Sequence, residues 1–325
     1  MALDVDLDQL AARLAPAALA DLRPLTGGAS SLTYCGTRAH DGEPVVVKMA
    51  PPGVPPVLNR DVLRQARLLR ALHGSAVPVP EVLWEDAGDP PDVPPLFVMS
   101  YVEGTSLEPL FDRDGDDPEP VVAERMRNAA RTMAALHALD PSALGLADEP
   151  VGGVGEEVDR WCRSLETVDP ALAPGWQDVA DALHGHEPPA RRAAVVHGDF
   201  RLGNLLASGG TITAVVDWEI WSVADPRLDV GWFLVNADPD TYGRATRYAG
   251  GLPSPDELAA LYSEVLGEPL GDDDWFRALA LFKSTATWSL IVKHNRRRTT
   301  PDPDLEALAP VLPRLLARAT ALVDA

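Results

Sequence analysis

His197-Gly198-Asp199-Phe200-Arg201-Leu202-Gly203-Asn204 has the form H-x-D-x-x-x-x-N, and thirteen residues past Asn204 the chain reaches Asp217-Trp218-Glu219. The apolar runs Ala194–Val196 and Ile212–Val216 lead into these segments and read as short strands, with a turn at Gly209-Gly210 between them. This ordered set supplies what phosphoryl transfer needs. Asp199, on a loop, is a carboxylate that can accept the proton of an attacking hydroxyl. Asn204 and Asp217 offer oxygen donors to magnesium, a hard cation that balances phosphate charge. A lone loop aspartate is ordinarily a turn former or a helix cap, so the combination carries the reading rather than any one member.

Upstream, the chain reads as three strands, a helix and two strands. Pro24–Thr26 runs into Gly27-Gly28-Ala29-Ser30-Ser31, Leu32–Thr37 alternates, Asp41-Gly42 marks a hairpin, and Val45-Val46-Val47 is a buried strand ending at Lys48. Before this, residues 4–22 read as helix with a break near Pro16. Asn59 is placed to cap a helix running to about His73, and strands follow near Glu81–Trp84 and Leu96–Tyr101. A lysine closing a buried third strand can reach nucleotide phosphates. Standing alone it would read as a snorkelling surface residue. Lys48 is, however, the only lysine in the first 282 residues. Gly27 and Gly28, with Ser30 and Ser31, offer backbone and hydroxyl donors to a phosphate, although a plain hairpin turn explains the glycines equally well.

The 325 residues, 46% of them hydrophobic and 24% charged, can bury a large core. A formal net charge of −21 disfavours nucleic acid and anionic membrane as partners. Cys35 and Cys162 show no metal spacing and read as two thiols in a reducing compartment. Met1–Leu10 has no basic segment followed by an apolar run, and no apolar stretch reaches membrane-spanning length, so the expected location is cytoplasmic. After Glu103-Gly104 the pattern turns helical, with a strong helix from Pro120 to Leu139. The boundary near residues 99–105 divides an N-terminal lobe, 1–102, from a C-terminal lobe, 103–325.

These motifs resemble the aminoglycoside phosphotransferase and choline-kinase-related family. Within it, the likeness is to bacterial phosphotransferase-family enzymes related to the kinase-like domain fused to some acyl-CoA dehydrogenases. The resemblance runs from about Pro24 to the helices after Asp229. It implies an α+β, bilobal protein-kinase-like fold with a β-rich N-terminal lobe and a mainly helical C-terminal lobe. It also implies a kinase that moves the γ-phosphoryl group of ATP, with Mg2+, to a hydroxyl of a small-molecule acceptor. On this likeness Asp199 is the catalytic aspartate, Asn204 and Asp217 bind magnesium, and Lys48 binds phosphates. Backbone groups near Ser100 and Val102, in the hinge Phe97–Val102, pair with adenine. Asp225-Pro226-x-x-Asp229 resembles a segment whose second aspartate buttresses the catalytic loop.

The chain departs from the family at Gln65, where a glutamate commonly pairs with the strand lysine; Asp61, one turn earlier, is the candidate substitute. That departure is what supports the alternative, a nucleotide-binding pseudokinase with a regulatory or scaffold role. His197 is expected to support the loop rather than to act as acid or base. Trp161, Trp218, Trp221, Trp232 and Trp288 read first as core. Glu219 and Trp221 are placed to line an acceptor pocket suited to an amine. An anionic acceptor would instead call for arginines such as Arg160 and Arg163 beside Trp161.

Overall fold

The computed structural model describes residues 6–25, 31–111, 116–248 and 250–324. Two compact units make up the chain. The first comprises Met1–Thr105 together with Leu206–Ser208 and Thr213–Trp221; the second comprises Ser106–Leu205, Gly209–Ile212 and Ser222–Ala325.

The first unit is built on a five-stranded antiparallel sheet. Its strands are β1 (Leu19–Pro24), β2 (Leu32–Arg38), β3 (Pro44–Met49), β4 (Val82–Asp86) and β5 (Leu96–Ser100), in the order β1-β2-β3-β5-β4. Gly42, at φ 76°, turns the β2–β3 hairpin, a conformation that glycine adopts without a Cβ clash. Tyr34, Val45, Val47, Met49, Leu96 and Val98 form the sheet's apolar core with Leu10 and Leu14 of the N-terminal segment. That segment differs from expectation. Helix α1 covers only Leu7–Arg13, a 3-10 turn follows at Ala15–Ala17, and the left-handed Ala18 (φ 51°) swings the chain into β1. Pro16 lacks an N–H and favours this early stop.

Helix α2 (Val62–Leu72) turns Val62, Ala66, Leu69 and Leu72 inward, as its apolar spacing predicts. Its cap is Asp61, whose carboxylate accepts from the Arg64 N–H at 3.0 Å. The expected cap, Asn59, lies instead in the 3-10 turn Leu58–Arg60.

The second unit is mainly helical. It contains α3 (Glu119–Ala138), the short strand β6 (Val151–Gly152), α4 (Val154–Leu165), α5 (Trp176–Gly185) and strand β7 (Ala194–Val196). The chain then passes through the hairpin β8 (Leu205–Ser208) and β9 (Thr211–Val215), most of which belongs to the first unit, and returns at β10 (Ser222–Ala224). The remainder is α6 (Arg227–Ala237), α7 (Pro255–Leu266), α8 (Asp273–Asn295), α9 (Pro303–Glu306) and α10 (Leu312–Val323). The core gathers around α8, whose Trp275, Leu279, Phe282 and Val292 are buried. Gly231 of α6 faces the Phe276 carbonyl of α8 so closely that a Cβ there would collide with backbone, which fixes a tight approach of the two helices. Among the described residues no helix is long and apolar enough to cross a membrane, and Cys35 and Cys162 are free thiols.

Candidate active site

In the first unit, Lys48 closes β3 as expected and is buried, with its ammonium 3.2 Å from Asp217 Oδ1. This contact gives the lysine its anionic partner. Asp61 is committed to capping α2, and the Gln65 amide donates to the Asn59 carbonyl at 3.4 Å. The expectation that Asp61 orients Lys48 is therefore corrected: the carboxylate beside Lys48 belongs to Asp217. Gln65 does share a pocket of about 260 Å³ with Lys48, Phe97, Met99, Asp217 and Trp218. Asp217 lies just past β9 with φ 64°, a left-handed conformation uncommon outside glycine that often marks functional positions.

The strand β5 ends at Ser100, whose N–H donates to Glu81 and whose hydroxyl accepts from the Glu81 N–H. Tyr101 N–H donates to the Pro44 carbonyl. Val102 follows, and its N–H and carbonyl take no hydrogen bond among the described residues. A base edge there would find one free donor and one free acceptor. Ser31 is buried at the start of β2. Gly27, Gly28 and Ser30 lie outside the described residues.

Trp221, read first as core and second as an acceptor-site residue, is buried in this same unit. The Arg64 guanidinium stacks 3.8 Å from its ring centroid and donates to its carbonyl, so Trp221 is a packing residue here.

In the second unit, the buried strand β7 delivers the chain into the H-x-D loop. Asp229 of α6 accepts from the N–H of His197 at 2.7 Å and of Gly198 at 2.8 Å, the buttress that the family likeness implied. Gly198 has φ 84°, which turns the loop sharply between these two bonds and Asp199. His137 and Tyr262 extend the support: His137 Nε2 is 3.3 Å from Asp229 and its Nδ1 is 2.9 Å from the Tyr262 hydroxyl. Burial alone would raise the Asp229 carboxyl, but the His137 hydrogen bond, the attraction of the His137 and His197 side chains and the His197 N–H hold it below its ordinary value. His197 is fully buried, and its Nδ1 accepts from the Asp199 N–H, a supporting role as expected.

Asp199 is held at both carboxylate oxygens. Trp232 Nε1–H donates to Oδ1 at 2.7 Å, Asn204 Nδ2 donates to Oδ2 at 2.8 Å, and Arg201 Nε makes weaker 3.3 Å contacts with both. Asn204 also donates to the Asp199 carbonyl, so its amide nitrogen is spent and its side-chain oxygen takes no hydrogen bond among the described residues. Arg201 in turn donates to Glu108, 3.0 Å away. Burial pushes Glu108 up to about 7, against the pull of Arg201.

Reasoning from sequence missed Glu108, Arg201, Trp232 and Lys283. Lys283 is buried in α8 and donates to the Gly198 carbonyl. The one available signal was its rarity: it is one of three lysines, set within an apolar helical run. The charges beside Asp199 are thus cationic as well as acidic, and the predicted amine-binding pair Glu219 and Trp221 belongs to the other unit.

The chain belongs to the phosphotransferase enzyme family (APH), whose model matches residues 21–263. It is 26% identical over 285 residues to acyl-CoA dehydrogenase family member 10 of Mus musculus, covering 82% of this chain and 26% of that protein, so the chain spans about a quarter of its relative. A crystal structure from Ralstonia eutropha JMP134, assigned as an aminoglycoside phosphotransferase, matches with a TM-score of 0.77, at 21% identity, over 98% of both chains. A thermostable mutant of aminoglycoside phosphotransferase APH(4)-Ia, in ternary complex with ADP and hygromycin B, matches with a TM-score of 0.60. Its identity is 17%, over 98% of this chain and 97% of that one. The fold is protein-kinase-like, α+β.

Proposed function

We propose that this chain transfers the γ-phosphoryl group of ATP to a hydroxyl of a small molecule, with magnesium. The observation that carries this reading is the held carboxylate of Asp199, fixed by Asn204 and Trp232 on a loop pinned by Asp229. In the proposed step Asp199 takes the proton of the acceptor hydroxyl as that oxygen bonds to the γ-phosphorus. The bond from phosphorus to the β-phosphate oxygen breaks, and ADP leaves with the electron pair. Lys48 neutralises phosphate charge, and Val102 offers the adenine edge its backbone donor and acceptor.

The donor set fits magnesium, which takes oxygen ligands and needs only one or two from protein when phosphates and water supply the rest. Asn204 presents an uncommitted carbonyl oxygen, and Asp217 keeps a second carboxylate oxygen beyond its Lys48 contact. Among the described residues no cluster of three or more His, Cys, Asp or Glu competes for a metal ion. When bound, magnesium would draw charge from the phosphates and hold them for in-line attack.

The pseudokinase alternative drew on Gln65 leaving Lys48 without a carboxylate, and Asp217 supplies one. The proposal is tested by offering MgATP and a panel of hydroxyl compounds to the protein, including aminoglycosides, sugars, choline-like amines and hydroxyacyl compounds. A mass gain of one phosphoryl group on any acceptor, absent without magnesium, supports it. ATP binding with no transfer to any acceptor and no ADP formation supports the pseudokinase instead.

A further inference from the structure

Lys283 is an ammonium in the interior, on a helix whose neighbours Leu279, Leu281, Phe282 and Ala286 are buried and apolar. Desolvation disfavours such a charge and lowers its proton affinity. Among the described residues it pairs with no carboxylate within 4.0 Å. What it touches is the catalytic loop: it donates to the Gly198 carbonyl and lies 4.1 Å from the ring centroid of Trp232. The indole of Trp232 then donates 2.7 Å to Asp199 Oδ1. Asp229 and Trp232 stand three residues apart on α6, on one face of the helix. One helix thus supplies both the buttress of the loop backbone and the donor that aims its carboxylate.

We propose that Trp232 and Lys283 act together as positioning residues for Asp199; this rests on reading Asp199 as the group that receives the acceptor proton. Lys283 holds the Gly198–Asp199 peptide at its carbonyl, while Asp229 holds the preceding His197–Gly198 peptide at its N–H. Through its cation–π contact it also holds the indole plane from which Trp232 reaches Asp199. With Trp232 on Oδ1 and Asn204 on Oδ2, the other contacts on the carboxylate among the described residues are the long ones from Arg201.

The test compares Trp232→Phe, Lys283→Met and Lys283→Arg, each alone and with Asp199→Asn, using phosphate release from MgATP with water as the acceptor. Trp232→Phe keeps an aromatic ring beside Lys283 but loses the N–H donor to Asp199 and some packing, so kcat should fall about tenfold or more with ATP affinity unchanged. Lys283→Met should do the same or more, and Lys283→Arg should restore much of the loss. In the Asp199→Asn background Trp232→Phe should cost nothing further, because its effect runs through Asp199. A loss from Trp232→Phe equally large with and without Asp199 overturns the inference, since that is what a merely structural role gives. So does full turnover in both Trp232→Phe and Lys283→Met while Asp199→Asn is inactive. If Asp199→Asn itself keeps full turnover, the reading of Asp199 fails. The positioning is then judged by the Trp232 indole N–H resonance, which should shift in Asp199→Asn and Lys283→Met and stay in Lys283→Arg. An indole resonance blind to Asp199→Asn overturns the inference independently of any turnover.

Discussion

Lys48 and Asp217 neutralise each other at 3.2 Å, one buried and one with a half-exposed carboxylate. A nucleotide would give both a better use, the lysine facing phosphate oxygens and the aspartate a magnesium ion. Two variants separate these roles. Lys48→Ala should weaken ATP binding about tenfold or more, the scale of one charge-assisted contact, with or without magnesium. Asp217→Ala should leave magnesium-free ATP binding near the wild-type level and abolish the tightening that magnesium brings. Titration calorimetry with and without the metal reads both. A magnesium effect that persists in Asp217→Ala would remove that residue from the metal site.

At the scale of the elements, α2 shows how one residue's duty limits another's. Asp61 turns one carboxylate oxygen to the Arg64 N–H, and Lys48 takes its anionic partner from Asp217 instead. Asp61→Ala should therefore cost about 1 kcal/mol of stability, while Asp61→Asn, an equally good cap, should change neither melting temperature nor ATP binding. Loss of ATP affinity in Asp61→Asn would restore the pairing that the sequence alone suggested. The element order of the first unit was legible because alternation, a hairpin glycine and an apolar helical spacing are local signals. The early start of β1 was not, since it depends on Ala18 adopting a left-handed conformation that no residue preference announces. The site divides the same way. Asp199, Asn204 and Asp217 announce themselves by spacing along the chain. Glu108, Trp232 and Lys283 reach Arg201, Asp199 and Gly198 from 93, 33 and 85 residues away in sequence, the last two through packing of α6 and α8, and carry no local pattern.

For the molecule as a whole, two buried carboxyl groups set opposite slopes of stability with pH. Asp229 has a depressed folded value, so its contribution is full above the ordinary 3.8 and is lost as pH falls through the lower folded value. Glu108 is raised from 4.5 to about 7, so the folded state holds a proton that the unfolded chain has released, and stability declines as pH rises across that window. Chemical denaturation of Glu108→Gln should show a flatter profile between those two values, and an unchanged slope would refute the assignment. Beneath these effects lies the claim that the Asp199 carboxylate serves the chemistry and not the fold or the nucleotide. Its most direct test sets wild type beside Asp199→Asn, measuring magnesium-dependent phosphoryl transfer from ATP and, separately, ATP affinity. The account predicts turnover lowered about a hundredfold or more with affinity nearly unchanged. Wild-type turnover in Asp199→Asn would contradict it.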